Sequence, residues 1–378
     1  MLRSPKFLFT LSRPRKNLFQ FGRASDIFKS MANELKKLVL IDSNAIIHRA
    51  YHALPKTMST RKGELTNVVY GYTTTLIKVL EDIKPDYIAA SFDLAGKTFR
   101  HEEYTEYKAH RVKADQELYD QIPRVRQLLE TLNIPVYEMA GFEADDCIGT
   151  ISNMFEERGE SQKFKGFEVF IVTGDKDAFQ LVDGNIFVYD LKKGLSVAQI
   201  INRKVIDLEW GLHPEDFVDL KALAGDPSDN IPGVPGIGNK TATTLLHNFD
   251  SLVKLYEKIA ELCHSEQSEE SPVIQDEKSI ETVAKEMNIK PRILKLLLDN
   301  KEQAFLSQRL ATIRRDVPLD FKLEDCKWGD YDKEKVQDFF EEMQFHSLLR
   351  RFGAERSVEP KPEEVRAKKA EDEQLKLL

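Results

Sequence analysis

Three cysteines, Cys147, Cys263 and Cys326, are all that 378 residues hold, and they stand far apart. With no CxxC pair and no cysteine–histidine spacing of a zinc site, a zinc finger or a disulfide-stapled scaffold is excluded. A reducing, intracellular compartment is the expectation. Apolar runs are short: none approaches the roughly 20 residues that cross a bilayer as a helix, so no membrane partner is expected. The GxxxxGK[ST] spacing of a P-loop is missing too. Nor is there an overall basic excess, because the net charge is −8.

That charge is unevenly spread. Residues 1–30 carry seven Lys/Arg and one acid, so the remainder carries −14. Local patches therefore say more about partners than the total does. The first 35 residues, rich in Arg, Lys, Ser and Phe, read as a basic and disordered extension. It is either an organellar transit peptide or an upstream extension before Met31, which lies just ahead of the first strand. The 41% apolar content supports a real core, and the length suits two or three domains.

From Leu38 to about Ile206 short apolar runs alternate with amphipathic stretches. Leu38–Ile41, Tyr87–Phe92, Ile134–Tyr137 and Val169–Val172 read as strands. Residues 45–50, Thr66–Ile83, Leu118–Leu132 and Ala144–Phe155 read as helices, the second with Val69, Thr73, Leu76, Ile77 and Leu80 on one face. Such alternation predicts a parallel sheet flanked by helices. From Pro214 on, helices dominate. The expected organisation is an α/β domain over 36–210, a helical domain over 211–350 with a polar insertion at 263–279, and a charged tail over 351–378.

Each predicted strand runs into acid. Asp42 follows the first and Asp93 the second; Glu143, Asp145 and Asp146 follow the third after a glycine turn; Asp175 and Asp177 follow the fourth. Asp226 and Asp229 follow a helical stretch. Single acids at such places are often helix caps or turn residues, and that reading stays open for each alone. Together, at the carboxyl ends of parallel strands where ligands collect, they point to one acidic site. So many carboxylates repel one another unless cations sit among them. A set with no His or Cys suits hard ions, Mg²⁺ or Mn²⁺. It also suits two-metal phosphoryl chemistry. Nine acids exceed what two ions need, so some should act from the outer shell.

Two further groups accompany the acids. Lys97, Arg100, Tyr107, Lys108 and Arg111 lie soon after Asp93, cations for phosphates and a ring for bases. Interleaved Glu102, Glu103 and Glu106 leave a mixed solvated helix as the alternative. Arg49, seven residues after Asp42, is a candidate phosphate clamp. The loop Gly233-Val234-Pro235-Gly236-Ile237-Gly238-Asn239-Lys240 precedes a helix, where backbone N–H groups attract phosphate; a plain Gly/Pro turn between helices is the alternative.

The ordered motifs Asp42…Arg49-Ala50-Tyr51-His52-Ala53, Phe92-Asp93, Gly96-Lys97-Thr98-Phe99-Arg100, Tyr107-Lys108-Ala109-His110-Arg111, Glu143-Ala144-Asp145-Asp146, Thr173-Gly174-Asp175-Lys176-Asp177 and Gly225-Asp226 through Gly238 resemble the 5′-nuclease domain of bacterial family-A DNA polymerases, which is grouped with the flap endonucleases. The likeness covers about residues 36–350. It implies a PIN-like α/β core, a helical arch and a helix-hairpin-helix region. By position, Asp42, Asp93, Glu143, Asp145 and Asp146 would surround one metal, and Asp175, Asp177, Asp226 and Asp229 a second. Arg49, Lys108 and Arg111 would act on the scissile phosphate. Lys97, Arg100, Tyr107, Gly233, Gly236, Gly238 and Lys240 would bind DNA, with K⁺ at the hairpin. Ser43 departs from the family's usual Gly.

The resemblance implies a Mg²⁺-dependent 5′-3′ exonuclease and flap endonuclease acting on 5′ flaps, 5′ ends and RNA–DNA hybrids. It would work as a monomer, linked to a separate polymerase and ligase, in the cytoplasm at the nucleoid, or in an organelle if the extension is a transit peptide. The long form of the family continues into a polymerase, so a stand-alone nuclease or a fragment is implied. Competing readings are a PIN-type ribonuclease, which would need neither arch nor hairpin, and a non-catalytic junction-binding protein. A phosphatase of the haloacid-dehalogenase type is disfavoured, because Asp42-Ser43-Asn44 lacks the second acid.

Overall fold

Five strands of the central sheet are parallel, and nearly every residue in their middles is apolar because both faces are covered. A computed structural model describes residues 35–156, 163–193, 197–265 and 277–353. The basic extension, most of the 263–279 insertion and nearly all of the charged tail lie outside the described residues. The strands are β1 (Lys36–Asp42), β2 (Tyr87–Ser91), β3 (Val136–Tyr137), β4 (Phe167–Thr173), β5 (Ile186–Lys193) and β6 (Val197–Ile201). Their order is β3-β2-β1-β4-β5-β6. Only β6 runs antiparallel, against β5.

Side chains alternate across β1. Val39 and Ile41 enter one core with helices Ser43–Ala53, Asn67–Ile83 and Ile122–Thr131. Leu38 and Leu40 enter the other with helix Ala144–Asn153 and the 3₁₀ turn Lys176–Leu181. The result is a sheet between two helical layers. The helix expected over Leu118–Leu132 is broken in two, Gln116–Tyr119 and Ile122–Thr131. Pro123 falls in the first turn of the second piece, where a missing N–H costs nothing. The stretch expected as an arch holds the short helices Phe99–Glu103 and Gln116–Tyr119, joined by turns.

Helices Asp216–Ala224, Asn239–Phe249, Leu252–Ser265, Glu277–Glu286, Pro291–Asp299 and Lys301–Ala311 build a separate apolar core. The chain does not stay there. Helices Lys333–Glu342 and His346–Phe352 return to pack on helices Ile122–Thr131 and Asn67–Ile83, burying Val336, Phe339, Phe340, Leu348 and Leu349 in the core that holds Val39 and Ile41. The 211–350 segment is therefore divided among several cores, Leu212, Phe217, Ile313 and Leu323 packing with Leu38 and Leu40, and the described residues from Lys36 on form one compact unit.

Candidate active site

The sheet order reverses at β1, whose neighbours are β2 on one side and β4 on the other. The crevice beyond such a switch point is where open α/β sheets bind ligands. Asp42 ends β1 and caps the following helix: its Oδ1 accepts from the Ala45 N–H at 3.0 Å, and its Oδ2 from the Thr173 hydroxyl at 2.7 Å. Capping and site membership thus coexist in one residue. Asp93 lies just beyond β2 and accepts from the Ala144 N–H and from Asn44 Nδ2, both at 2.7 Å. Asp175 caps the 3₁₀ turn after β4 through the Asp177 N–H at 2.9 Å. Asp145 has no hydrogen-bond partner among the described residues.

These carboxylates feel one another. Burial pushes Asp42 up to about 6, with Asp93 and Asp175 adding repulsion. Asp145 is raised well above the carboxylate range, first by burial and then by Asp42, Asp175, Asp93 and Asp177. Burial and Asp175 push Asp177 up to about 7, although Lys221 opposes them.

Protein cations hold the remaining acids. Lys108 Nζ donates to Glu143 Oε1 at 2.8 Å. Arg111 donates to Asp229 Oδ1 at 2.5 Å, and the Tyr107 hydroxyl lies 3.2 Å from both Glu143 Oε2 and Asp229 Oδ2. Lys108 itself sits in the left-handed region at φ 55° while its N–H donates to the Asp229 carbonyl. Such strain in a non-glycine residue persists only where its surroundings fix it. Lys221 Nζ bridges Asp177 Oδ1 and Asp226 Oδ2. Asp226 is also held by the Ser228 N–H and hydroxyl. Burial works against the charge of Asp226, and Lys221 overcomes it, keeping that carboxyl below its usual range.

An open cleft of about 930 Å³ runs from Asp175, Asp177 and Asp226 to Gly238 and Asn239, where helix Asn239–Phe249 begins. Arg49 lines it from the β1 side. A Cβ on Gly174 would come within 3.1 Å of the Arg49 guanidinium, so a residue without a side chain leaves Arg49 its place. Gly236, Gly238 and Lys240 are exposed at that helix start, and Lys97 is exposed near Asp93.

Four residues do not sit as expected. Arg100, expected on DNA, is 3% exposed and makes a two-pronged bridge to Asp146, 2.8 Å on each prong. It also donates to the carbonyls of Leu310 and Thr312. Asp146, expected at a metal, is fully buried and spends its oxygens on Arg100 and on the N–H groups of Glu143 and Arg314. For this acid, helix capping and ion pairing account for everything. Tyr107 is 3% exposed and offers no ring face for stacking. Gly233 is buried; its N–H donates to Ser307 Oγ and so is not left for a phosphate, and its carbonyl accepts from Gln303. Asn44, Thr173 and Lys221 are additions that the sequence reading missed. Lys221 had one signal, as the single base in the acid-bearing helix Asp216–Ala224.

Among the described residues, no three Asp, Glu, His or Cys side chains close on one point as ligands of a bound ion do. The donor set nonetheless fits hard divalent cations: it is carboxylate oxygen throughout, the Asp145 carboxylate is unpartnered, and burial first, then mutual repulsion, raises Asp42, Asp145 and Asp177.

Carboxylates gathered at the switch point of a parallel sheet, with lysine and arginine beside them, define a site of the phosphoryl-transfer class. Residues 37–211 match the family model of the 5′-3′ exonuclease, N-terminal resolvase-like domain, and residues 212–334 that of the 5′-3′ exonuclease, C-terminal SAM fold. The chain belongs to the 5′-3′ exonuclease family, and is a nuclease. It is 39% identical over 327 residues to DNA polymerase I of Bacillus caldotenax, covering 86% of this chain and 33% of that one. Against DNA polymerase I of Bacillus subtilis (strain 168) it is 37% identical over 342 residues, covering 90% and 35%. The chain spans about a third of the length of these curated relatives. Among solved structures, T5 5′-exonuclease with bound zinc ions has a TM-score of 0.54 at 17% identity, covering 85% of this chain and all of that one. The catalytic core of Rad2 in complex with DNA substrate has a TM-score of 0.51 at 16% identity, covering 84% and 92%. At such identities the likeness speaks for the fold, an α/β core of PIN-like kind.

Proposed function

We propose that this nuclease hydrolyses phosphodiester bonds near 5′ ends and at 5′ flaps of DNA, including RNA primers paired to DNA, and that it uses two Mg²⁺ or Mn²⁺ ions. The observation that carries the reading is the convergence of Asp42, Asp93, Asp145, Asp175 and Asp177 in one crevice, where burial, with their repulsion added to it, raises three of them. A phosphate would add charge of the same sign, so a nucleic-acid substrate demands intervening cations. The zinc bound to T5 5′-exonuclease and the DNA bound to Rad2 are in keeping with this.

Asp42, Asp93, Glu143 and Asp145 would hold one ion, and Asp175, Asp177, Asp226 and Asp229 the other. Bound there, such ions polarise a phosphoryl oxygen and lower the pKa of a water. The chain's own cations do the rest. Lys108 and Arg111 supply fixed positive charge at the edge of the carboxylates, where charge on the phosphate grows. Arg49 and Lys97 neutralise neighbouring phosphates. The N–H groups at the start of helix Asn239–Phe249, with Gly236, Gly238 and Lys240, grip a duplex backbone without reading its sequence. By the family likeness, a K⁺ ion would join that loop. Action as a monomer in the cytoplasm, linked to DNA polymerase and ligase activity, belongs to the same proposal.

The test is cleavage of an end-labelled flap substrate with Mg²⁺, with and without EDTA. Asp145→Ala should lower the rate at least about 100-fold, equivalent to about 3 kcal/mol of barrier, while flap affinity stays within about threefold. EDTA-resistant cleavage, or affinity lost together with cleavage, would count against the proposal. A preference for single-stranded RNA over flap DNA would favour a ribonuclease instead.

A further inference from the structure

Lys221 departs from the pattern of the other site cations. Lys108 contacts Glu143 at 2.8 Å and reaches Asp229 only at 3.8 Å, and Arg111 pairs with Asp229 alone. Lys221 reaches between two acids from distant parts of the chain, Asp177 after β4 and Asp226 after helix Asp216–Ala224, and contacts both with one ammonium. Its side chain is 19% exposed, and it lines the open cleft. The other acids of its helix do not compete for it. Asp219 accepts from the Leu252 N–H and Gln308, and Asp216 from the His213 N–H.

We propose that Lys221 is a built-in occupant of the second ion's place, holding Asp177 and Asp226 together in the metal-free enzyme and swinging into the cleft when a divalent ion arrives. The inference rests on the two-ion reading above. A divalent cation on the same oxygens of Asp177 and Asp226 that Lys221 contacts would lie close to its ammonium, and like charges in a poorly solvated site repel strongly. The ion therefore competes with a tethered cation, and its apparent affinity is reduced by that competition. Asp226 keeps its position after Lys221 leaves, since Ser228 anchors its Oδ1. The cleft gives the released side chain room on the side where a strand phosphate would lie. Metal loading thus converts an internal counter-ion into a substrate-facing one.

Two measurements test this. In wild-type protein, acetic anhydride labelling mapped by mass spectrometry should show Lys221 protected without metal and labelled at least about threefold faster with Mn²⁺; exposed Lys240 serves as the internal reference, changing little. In a Mn²⁺ titration followed by electron paramagnetic resonance, Lys221→Met should bind the weaker of two ions at least about fivefold more tightly, with the stronger unchanged. Should that variant fold poorly, Lys221→Gln takes its place. Labelling that ignores Mn²⁺, or a weaker site left unchanged or further weakened in the variant, overturns the proposal. If wild-type protein binds no Mn²⁺ while Lys221 stays protected, the two-ion reading itself has failed; two bound ions with unmoved labelling overturn the role of Lys221 alone.

Discussion

Arg100→Met separates a residue that grips DNA from one that holds the fold. The guanidinium is 3% exposed and its two-pronged partner Asp146 is 0% exposed. Burial opposes the charge of Arg100, but Asp146 and then Glu143 outweigh it and raise its pKa. Methionine keeps much of the side chain's length, so the change leaves a buried carboxylate unpaired and removes donors from the Leu310 and Thr312 carbonyls. Breaking one partner of a buried pair costs about 3–5 kcal/mol. With roughly 2–4 °C lost per kcal/mol in a chain of this scale, the melting temperature should fall by about 6–20 °C. Flap affinity measured below that melting point should be unchanged, and so should its dependence on salt. A residue bound to phosphate would instead lower the slope of log affinity against log salt by about one. Asp146→Asn added to Arg100→Met should recover part of the loss by removing the stranded charge. A melting temperature within about 2 °C of wild type, together with a reduced salt slope, would refute the structural role and return Arg100 to the DNA surface.

Other outcomes follow from the same geometry. In metal-free protein, Asp42 and Asp177 titrate at about 6 and about 7, above their ordinary 3.8. The folded form therefore binds more protons than the unfolded chain, and their ionisation costs stability as pH rises through that window. Saturating Mg²⁺ should raise the melting temperature more at pH about 8 than at about 5, and an equal rise at both would contradict the assignment. Gly233→Ala should destabilise by about 2 kcal/mol or more, read from urea midpoints, because φ is +61° and a Cβ would lie 2.2 Å from the Gly225 nitrogen. Gly238→Ala, with open space around its Cβ, should stay within about 0.5 kcal/mol. Lys108→Met should slow single-turnover cleavage by about 10²–10³ with little change in flap affinity; a loss confined to affinity would make Lys108 a binding residue.

Much of the site was legible because chemistry and topology coincide. A strand buried on both faces must be a continuous apolar run, as Leu38–Ile41 is, and the polar residue that ends it must lie at the sheet's edge. What the sequence could not separate was Asp145 from Asp146. Adjacent residues on a helix point about 100° apart. One is left among the other carboxylates, while the other enters a pocket built by Arg100 and the backbone of Arg314, residues remote in sequence. Gly233 was misread for a similar reason. A glycine that lets a ligand approach and one that lets a neighbouring backbone approach look alike until Gly225 is seen against it. Lys221 was overlooked because its meaning lies in two partners, one of them 44 residues away.

The late return of helices Lys333–Glu342 and His346–Phe352 to the helices over the sheet bears on how the polypeptide is made. Strand β6 ends at Ile201, yet Leu348 and Leu349 complete the core on the outer side of the helices that cover Val39 and Ile41. At a ribosomal pace of about 5–20 residues per second, that interval of about 150 residues takes on the order of 10–30 s. During this time helices Asn67–Ile83 and Ile122–Thr131 carry an apolar outer face that the chain has yet to cover. Holdase binding to ribosome-bound intermediates should accordingly persist until residues near 350 have left the exit tunnel, long after every strand has emerged.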